Sequence, residues 1–253
     1  MDQSSESPCG ICFKNCAEGS HSILCEICGN WFHGTCEKLK EESIMELGNL
    51  SQASYICRKC SSEDDGSFDF LTALHRLRRS AKKNWGIFCA CTIREKHIMP
   101  YFISHEKDIT KYHTSTDRHS LDILRKHGLE KGKRPLKTTA DGNCLFNAVS
   151  LLLNDSEDMA NELRTRTCIE MVNNEDEYIQ SDMGRVVCHV SPDYREACVD
   201  CTRIGAFSSA WTIMALSNII KRQVNMLYPL LMGQGTYIQS FSAIASSLEK
   251  ELA

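Results

Sequence analysis

Two kinds of segment are missing from this sequence. No run of eighteen apolar residues occurs, so no helical membrane span is expected. The stretch Met1 to Ser7 is polar and slightly acidic, without the basic start and apolar core of a secretory signal. The expectation is a protein that stays inside the cell. No internal repeat is found, and 253 residues then leave room for one large or two small domains. Apolar residues at 42% and charged residues at 25% exclude a disordered or fibrous chain and indicate a soluble globular one.

Cysteine, by contrast, is abundant and uneven. Eight of the 15 cysteines lie in the first sixty residues. In a reducing compartment such cysteines bind metal or do chemistry more often than they pair. Charge is uneven as well. The net charge of −4 divides into −6 over residues 1–65, +9 over 66–140 and −7 over 141–253. Shifts of that size suggest three functional segments.

The first segment contains four ligand pairs: Cys9 and Cys12, Cys25 and Cys28, His33 and Cys36, Cys57 and Cys60. Two residues between the members of a pair let one tight turn aim both side chains at one ion, and thiolate and imidazole are the donors zinc prefers. Eight ligands make two closed sites, which are structural. The order of four Cys, one His and three Cys, with Trp31-Phe32 before His33, resembles a PHD finger over residues 8–61. The resemblance implies two zinc ions held in cross-braced fashion. One site takes Cys9, Cys12, His33 and Cys36, and the other Cys25, Cys28, Cys57 and Cys60. Cys16 is left over as an ordinary thiol.

PHD fingers often read the tail of histone H3, so a histone tail or another basic peptide is the partner this resemblance implies. Trp31 matches a wall of the methyl-lysine cage, where an aromatic face attracts a quaternary ammonium. Glu26 matches an acidic position that can meet a basic tail. Pro8 stands where cage-forming members often carry an aromatic residue. The alternative is that Trp31 packs the zinc core and the finger binds something else. So short a segment buries little core, and metal binding should drive its folding.

Residues 62–133 read as an acidic linker followed by a basic helical connector. Phe70, Leu71, Leu74 and Leu77 recur at helical spacing among Arg76, Arg78, Arg79, Lys82 and Lys83. The basic face is either simply solvated or a nuclear-localisation or nucleic-acid patch. Trp85 to Pro100 looks strand-like. Leu121, Leu124 and Leu129 suggest another helix ending near Gly128 or Gly132. His97, His105, His113, His119 and His127 are scattered and read as surface residues.

Residues 138–150 carry the run Asp141-Gly142-Asn143-Cys144-Leu145-Phe146-Asn147-Ala148-Val149-Ser150. Gly142 permits a tight turn. The apolar stripe of Leu145, Phe146, Val149, Leu152 and Leu153 then places Cys144 at a helix N-terminus, which favours the negative thiolate. The preceding turn presents N–H groups suited to an oxyanion. This run resembles the nucleophile motif of the OTU family of cysteine proteases, mostly deubiquitinases. Gly205 to Ser217 resembles that family's later Gly-x-Trp stretch, with Phe207 in the Trp position, and Gln223 to Tyr228 fits its next strand. The match covers about residues 134–230. It implies Cys144 as nucleophile and Asp141 as shaper of the turn. The reaction would be attack on an isopeptide carbonyl, a thioester, then hydrolysis, with ubiquitin or a ubiquitinated protein as partner.

The family's general base is a histidine on a strand near the domain's end, and here the sequence departs. His189 is the only histidine after Cys144, and it precedes the Trp211 stretch. Without a base the thiol attacks slowly and no acid protonates the leaving amine. Three explanations stand: a chain lacking its last strand, an inactive binding domain, or substitution by His189 or an upstream histidine. Leu230 to Gly235 reads as a loop. Tyr237, Ile238, Phe241, Ile244, Ala245 and Leu248 form a helical stripe, so the tail reads as helix. Cys188, His189, Cys198 and Cys201 offer the composition of a third zinc site, against free thiols as the alternative.

The expected architecture is α+β and multidomain: a cross-braced two-zinc finger at 8–61, the connector at 62–133, and an incomplete papain-like α/β domain at 134–253. The expected function is a nuclear, chromatin-associated zinc protein, with some cytoplasmic presence open. Its OTU-like thiol isopeptidase domain is weak or inactive. The alternative is a non-catalytic adaptor binding a histone tail and ubiquitin.

Overall fold

The computed structural model describes residues 7–16, 21–103, 115–189, 191–229 and 236–241, with backbone alone for 228, 229 and 236–239. The fold mixes helices with small sheets. The chain forms two compact units, Met1–Phe102 and Ile103–Ala253.

The first unit is built on the finger. Strands β1 (Ser22–Leu24) and β2 (Trp31–His33) pair antiparallel, with Leu24 opposite Trp31. Helix α1 (Glu41–Gly48) follows, and its Leu47 enters a core with Ile23, Phe32, Tyr55, Ile56 and the ligand cysteines Cys9, Cys25 and Cys57. The acidic stretch after Cys60 folds as a tight loop. Ser62 bridges Phe68, Glu63 N–H donates to Ser67 O at 2.7 Å, and Gly66 supplies the φ of +83° that the turn requires.

Helix α2 (Phe70–Ala81) starts at Asp69, whose carboxylate accepts from Thr72 N at 2.7 Å. It buries Ala73, Leu74, Leu77 and Ser80. Residues 85–98 are helix α3 (Trp85–Ile98), which corrects the strand expectation. Trp, Ile, Phe and Thr suit a strand by propensity, but Asn84 caps the helix through Ile87 N at 2.9 Å. Phe88, Cys91, Thr92, Glu95 and Ile98 are buried at spacings of three and four, the face of a helix and not of a strand. Ile98 joins the finger's own core and Phe68 packs against it. The helical pair is thus part of the finger's unit. A bidentate ion pair from Arg76 to Glu95, at 2.8 and 3.0 Å, locks α2 to α3.

The second unit is mainly helical among its described residues. Helix α4 (Arg118–Lys126) lies where the leucine spacing indicates. Helices α5 (Cys144–Asn154), α6 (Ala160–Asn173), α7 (Glu175–Gln180), α8 (Asp182–Val187), α9 (Tyr194–Cys201) and α10 (Ala210–Ile220) follow. Phe146, Leu151, Leu163, Met171, Tyr178, Met214 and Leu216 are all about 1% exposed or less, and Trp211 is 2% exposed. Strands β3 (Val224–Pro229) and β4 (Thr236–Phe241) form an antiparallel hairpin with Val224 opposite Phe241. Residues 236–241 are therefore strand, correcting the helical reading of the tail. An aligned pair of segments forms a ladder of hydrogen bonds that the sequence periodicity of one segment cannot register. Leu230 to Gly235, Ile244, Ala245 and Leu248 lie outside the described residues, as do His105 and His113.

Candidate metal centres and a candidate thiol site

Four donors converge at each of two points in the finger. Cys9, Cys12, His33 and Cys36 form one set and Cys25, Cys28, Cys57 and Cys60 the other, each with its ligand atoms within 4.8 Å of one another. Chain order alternates between the sets, so the second pair is threaded between members of the first. His33 Nδ1 faces Cys12 Sγ at 3.4 Å and Cys36 Sγ at 3.9 Å, while Nε2 lies 3.3 Å from Asn15 O. An Nε2–H donated to that carbonyl leaves Nδ1 free for the metal, the usual way a histidine ligand is oriented. In the other set Cys57 N–H donates to Cys25 Sγ at 3.3 Å, which stabilises a thiolate. A four-donor Cys/His set with no open position fits a structural zinc ion. Glu37, 4% exposed, supports this corner by accepting from Tyr55 Oη and from Arg58 N at 2.8 Å.

The second candidate site is built on one turn. Asp141 Oδ1 accepts from Asn143 N at 2.8 Å and from Asn147 Nδ2 at 3.1 Å, and Oδ2 accepts from Asn143 Nδ2 at 3.1 Å. These bonds, the Asn143 N–H first, hold the Asp141 carboxyl below the usual carboxylate range. Gly142 takes φ +80° and presses against Gly205, itself at φ +81°. Gly205 N–H reaches Asn143 Oδ1 at 3.4 Å, so the 205 loop is stitched to the turn.

Asn143 stands at the N-cap of α5, yet its side chain makes no capping bond. It is diverted to Asp141 and Gly205. The first-turn N–H groups of α5 are thus left open at the positive end of the helix, beside an exposed Cys144. Such an arrangement can stabilise an anion at the thiol or at an atom it attacks. Among the described residues no histidine is hydrogen-bonded to Cys144.

Residues 6–64 match the Pygopus PHD-type zinc finger, and residues 135–192 match the Vertnin OTU domain. The chain carries a PHD finger and an OTU-like domain. Over 123 residues it is 27% identical to human PHD finger protein 3, a match covering 48% of this chain and 6% of that protein. No solved structure matches it.

In the finger, Trp31 is 38% exposed on β2, its carbonyl held by Gly10 N at 2.8 Å. With Leu24 opposite, it makes a half-exposed apolar pair on the small sheet. Glu26 lies 3.6 Å from Arg94 of α3. That cation is buried, and it also bonds Glu95 at 2.8 Å and Ser54 O at 3.3 Å. Glu26 is thereby tied to the helical pair, a contact between residues 68 apart in sequence.

In the OTU-like domain the residue that sequence reasoning missed is Arg164 of α6. Its side chain is 1% exposed and donates to four carbonyls: Arg203 O at 2.9 Å, Gly142 O and Ala206 O at 3.2 Å, and Cys201 O at 3.3 Å. The guanidinium lies over the Phe146 ring at 4.5 Å. Burial pulls its pKa below the ordinary arginine value. Arg166, two residues on, pairs with Glu162 one turn back at 2.7 Å. Nothing in the local sequence separates the two roles.

The third zinc set does not assemble among the described residues. Cys198 and Cys201 are buried on α9, while Cys188 is exposed and its thiol turns to Arg185 O at 3.1 Å. Phe207, 89% exposed, borders a shallow cavity of about 270 Å³ with Pro192, Ala197, Asp200 and Thr212.

Proposed function

We propose that this chain is a nuclear, chromatin-associated zinc-finger protein whose OTU-like domain presents Cys144 as a reactive thiol to ubiquitin or a ubiquitinated protein. It turns over isopeptide bonds negligibly. The observation that carries this reading is the exposed Cys144 at the uncapped end of α5, on a turn fixed by Asp141. A thiol so placed can attack a carbonyl and its N–H surroundings can hold the oxyanion. Efficient turnover also needs a proton acceptor that later becomes a donor. Among the described residues no histidine is hydrogen-bonded to the exposed Cys144.

Ubiquitin carrying a C-terminal electrophile tests the site. It should form an adduct at Cys144, lost in Cys144→Ser, while unmodified ubiquitin chains stay uncleaved. No adduct above that of Cys188 would overturn the reading. Robust chain cleavage abolished by Cys144→Ser would establish the competent isopeptidase instead.

The finger serves as the docking module. Trp31 and Leu24 supply an apolar surface on the small sheet and Glu26 an adjacent carboxylate for a basic peptide such as a histone tail. Glu26 is shared with Arg94, so binding should be weak and little changed by lysine methylation. Exposed Arg79 on α2 and exposed Lys82 and Lys83 just past its C-terminal end suit nucleic-acid phosphates, and salt-sensitive retention on duplex DNA checks this.

A further inference from the structure

We infer that Arg164 is a positioning residue for the Cys144 thiol, clamping from below the two loops that frame it. The inference rests on the reading of Cys144 as the reactive group. Three observations carry it.

First, Arg164 acts on the peptide that precedes Asn143. Its Nη2 holds Gly142 O at 3.2 Å, while the N–H of the same peptide is held by Asp141 Oδ1 at 2.8 Å. A peptide pinned at both ends cannot flip, so Asn143 and the first turn of α5 have one orientation. Second, the same guanidinium gathers Arg203 O and Ala206 O from the loop that bears Gly205. Turn and loop meet at Gly142 and Gly205, and Arg164 ties one carbonyl of the first and two of the second to one rigid plane. A planar fork with five donors suits this task.

Third, no carboxylate forms an ion pair with Arg164 among the described residues. A buried cation satisfied by backbone oxygens alone is an expensive way to pack a core. Its Nε, moreover, finds no partner. Packing alone would be served by Met or Leu against Phe146. The arrangement makes sense where the carbonyls themselves need fixed directions.

The test compares alkylation of Cys144 with that of the exposed Cys188, in the folded full chain, by mass spectrometry with iodoacetamide. In Arg164→Met the Cys144 to Cys188 rate ratio should fall about tenfold or more. Arg164→Lys, which keeps a cation and three donors, should restore it to within about fivefold of wild type. An unchanged ratio in the Met variant, or a Lys variant as slow as the Met variant, would overturn the inference. Should Arg164→Met fail to fold, amide exchange in the wild-type chain decides. The Asn143 amide should exchange as slowly as the amides of α6, and exchange at the rate of an open loop would overturn the clamp. Failure of the underlying reading looks different: wild-type Cys144 would then label no faster than Cys188 at all.

Discussion

Gly142→Ala and Gly205→Ala form a matched pair that measures how closely the turn and the loop approach. Both glycines sit at nearly the same positive φ, +80° and +81°. Each substitution therefore carries a similar left-handed strain of about 1–2 kcal/mol. They differ in space. A Cβ on Gly142 would lie 2.0 Å from Gly205 O and 2.5 Å from its carbonyl carbon, and both are backbone atoms that cannot rotate away. A Cβ on Gly205 would lie 3.2 Å from Asp141 O, a tight contact that a few tenths of an ångström relieve. Overpacking against fixed backbone adds about 1–3 kcal/mol. Moving the loop would also weaken the bond from Gly205 N to Asn143 Oδ1 and that from Arg164 to Ala206 O. Gly142→Ala should then destabilise the second unit by about 3–4 kcal/mol and Gly205→Ala by about 1–2 kcal/mol. Urea unfolding followed by Trp211 fluorescence reads the difference. With a slope of about 2 kcal/mol per molar, the midpoints of the two variants should separate by about 1 M. Equal midpoints, or a neutral Gly142→Ala, would refute the close approach.

Three other outcomes follow from the geometry. Metal analysis of reduced protein should find two zinc ions per chain, and a strong chelator should unfold α3 together with the finger, because Ile98 shares the finger's core; loss of finger structure with α3 intact by amide exchange would contradict this. Glu95→Gln leaves Arg76 and Arg94 buried without their common carboxylate and should cost about 3–5 kcal/mol in a denaturant titration of the first unit. Asp141 titrates below its ordinary 3.8 when folded, so its contribution to stability is present above that pH and lost as pH falls through the lowered value; Asp141→Asn should remove that part of the acid loss, seen as urea midpoints that fall less steeply than those of the wild type below about pH 4.

The zinc centres and the thiol turn were legible in the chain itself. Ligand chemistry demands particular donors at short spacings, and a strained turn demands glycine, so both leave local marks. The spacing of Cys9 to Cys60 thus marked eight ligands in four pairs, the resemblance to a PHD finger implied how they divide into two sets, and Asp141 to Cys144 marked a cysteine at a helix start. Residues whose role comes from distant partners leave no such mark. Glu26 reads as a free peptide-binding carboxylate until Arg94, 68 residues on, approaches it. Trp85 to Ile98 reads as strand by side-chain type, and the buried faces of α2 and α3 make it helix. Arg164 and Arg166 look alike in sequence, on one helix two residues apart. One turns to Glu162 on its own helix, and the other is enclosed with the carbonyls of residues 142, 201, 203 and 206. Those carbonyls come from segments that only the packing of α5, α6 and α9 brings together, and backbone acceptors are the same at every position of a sequence.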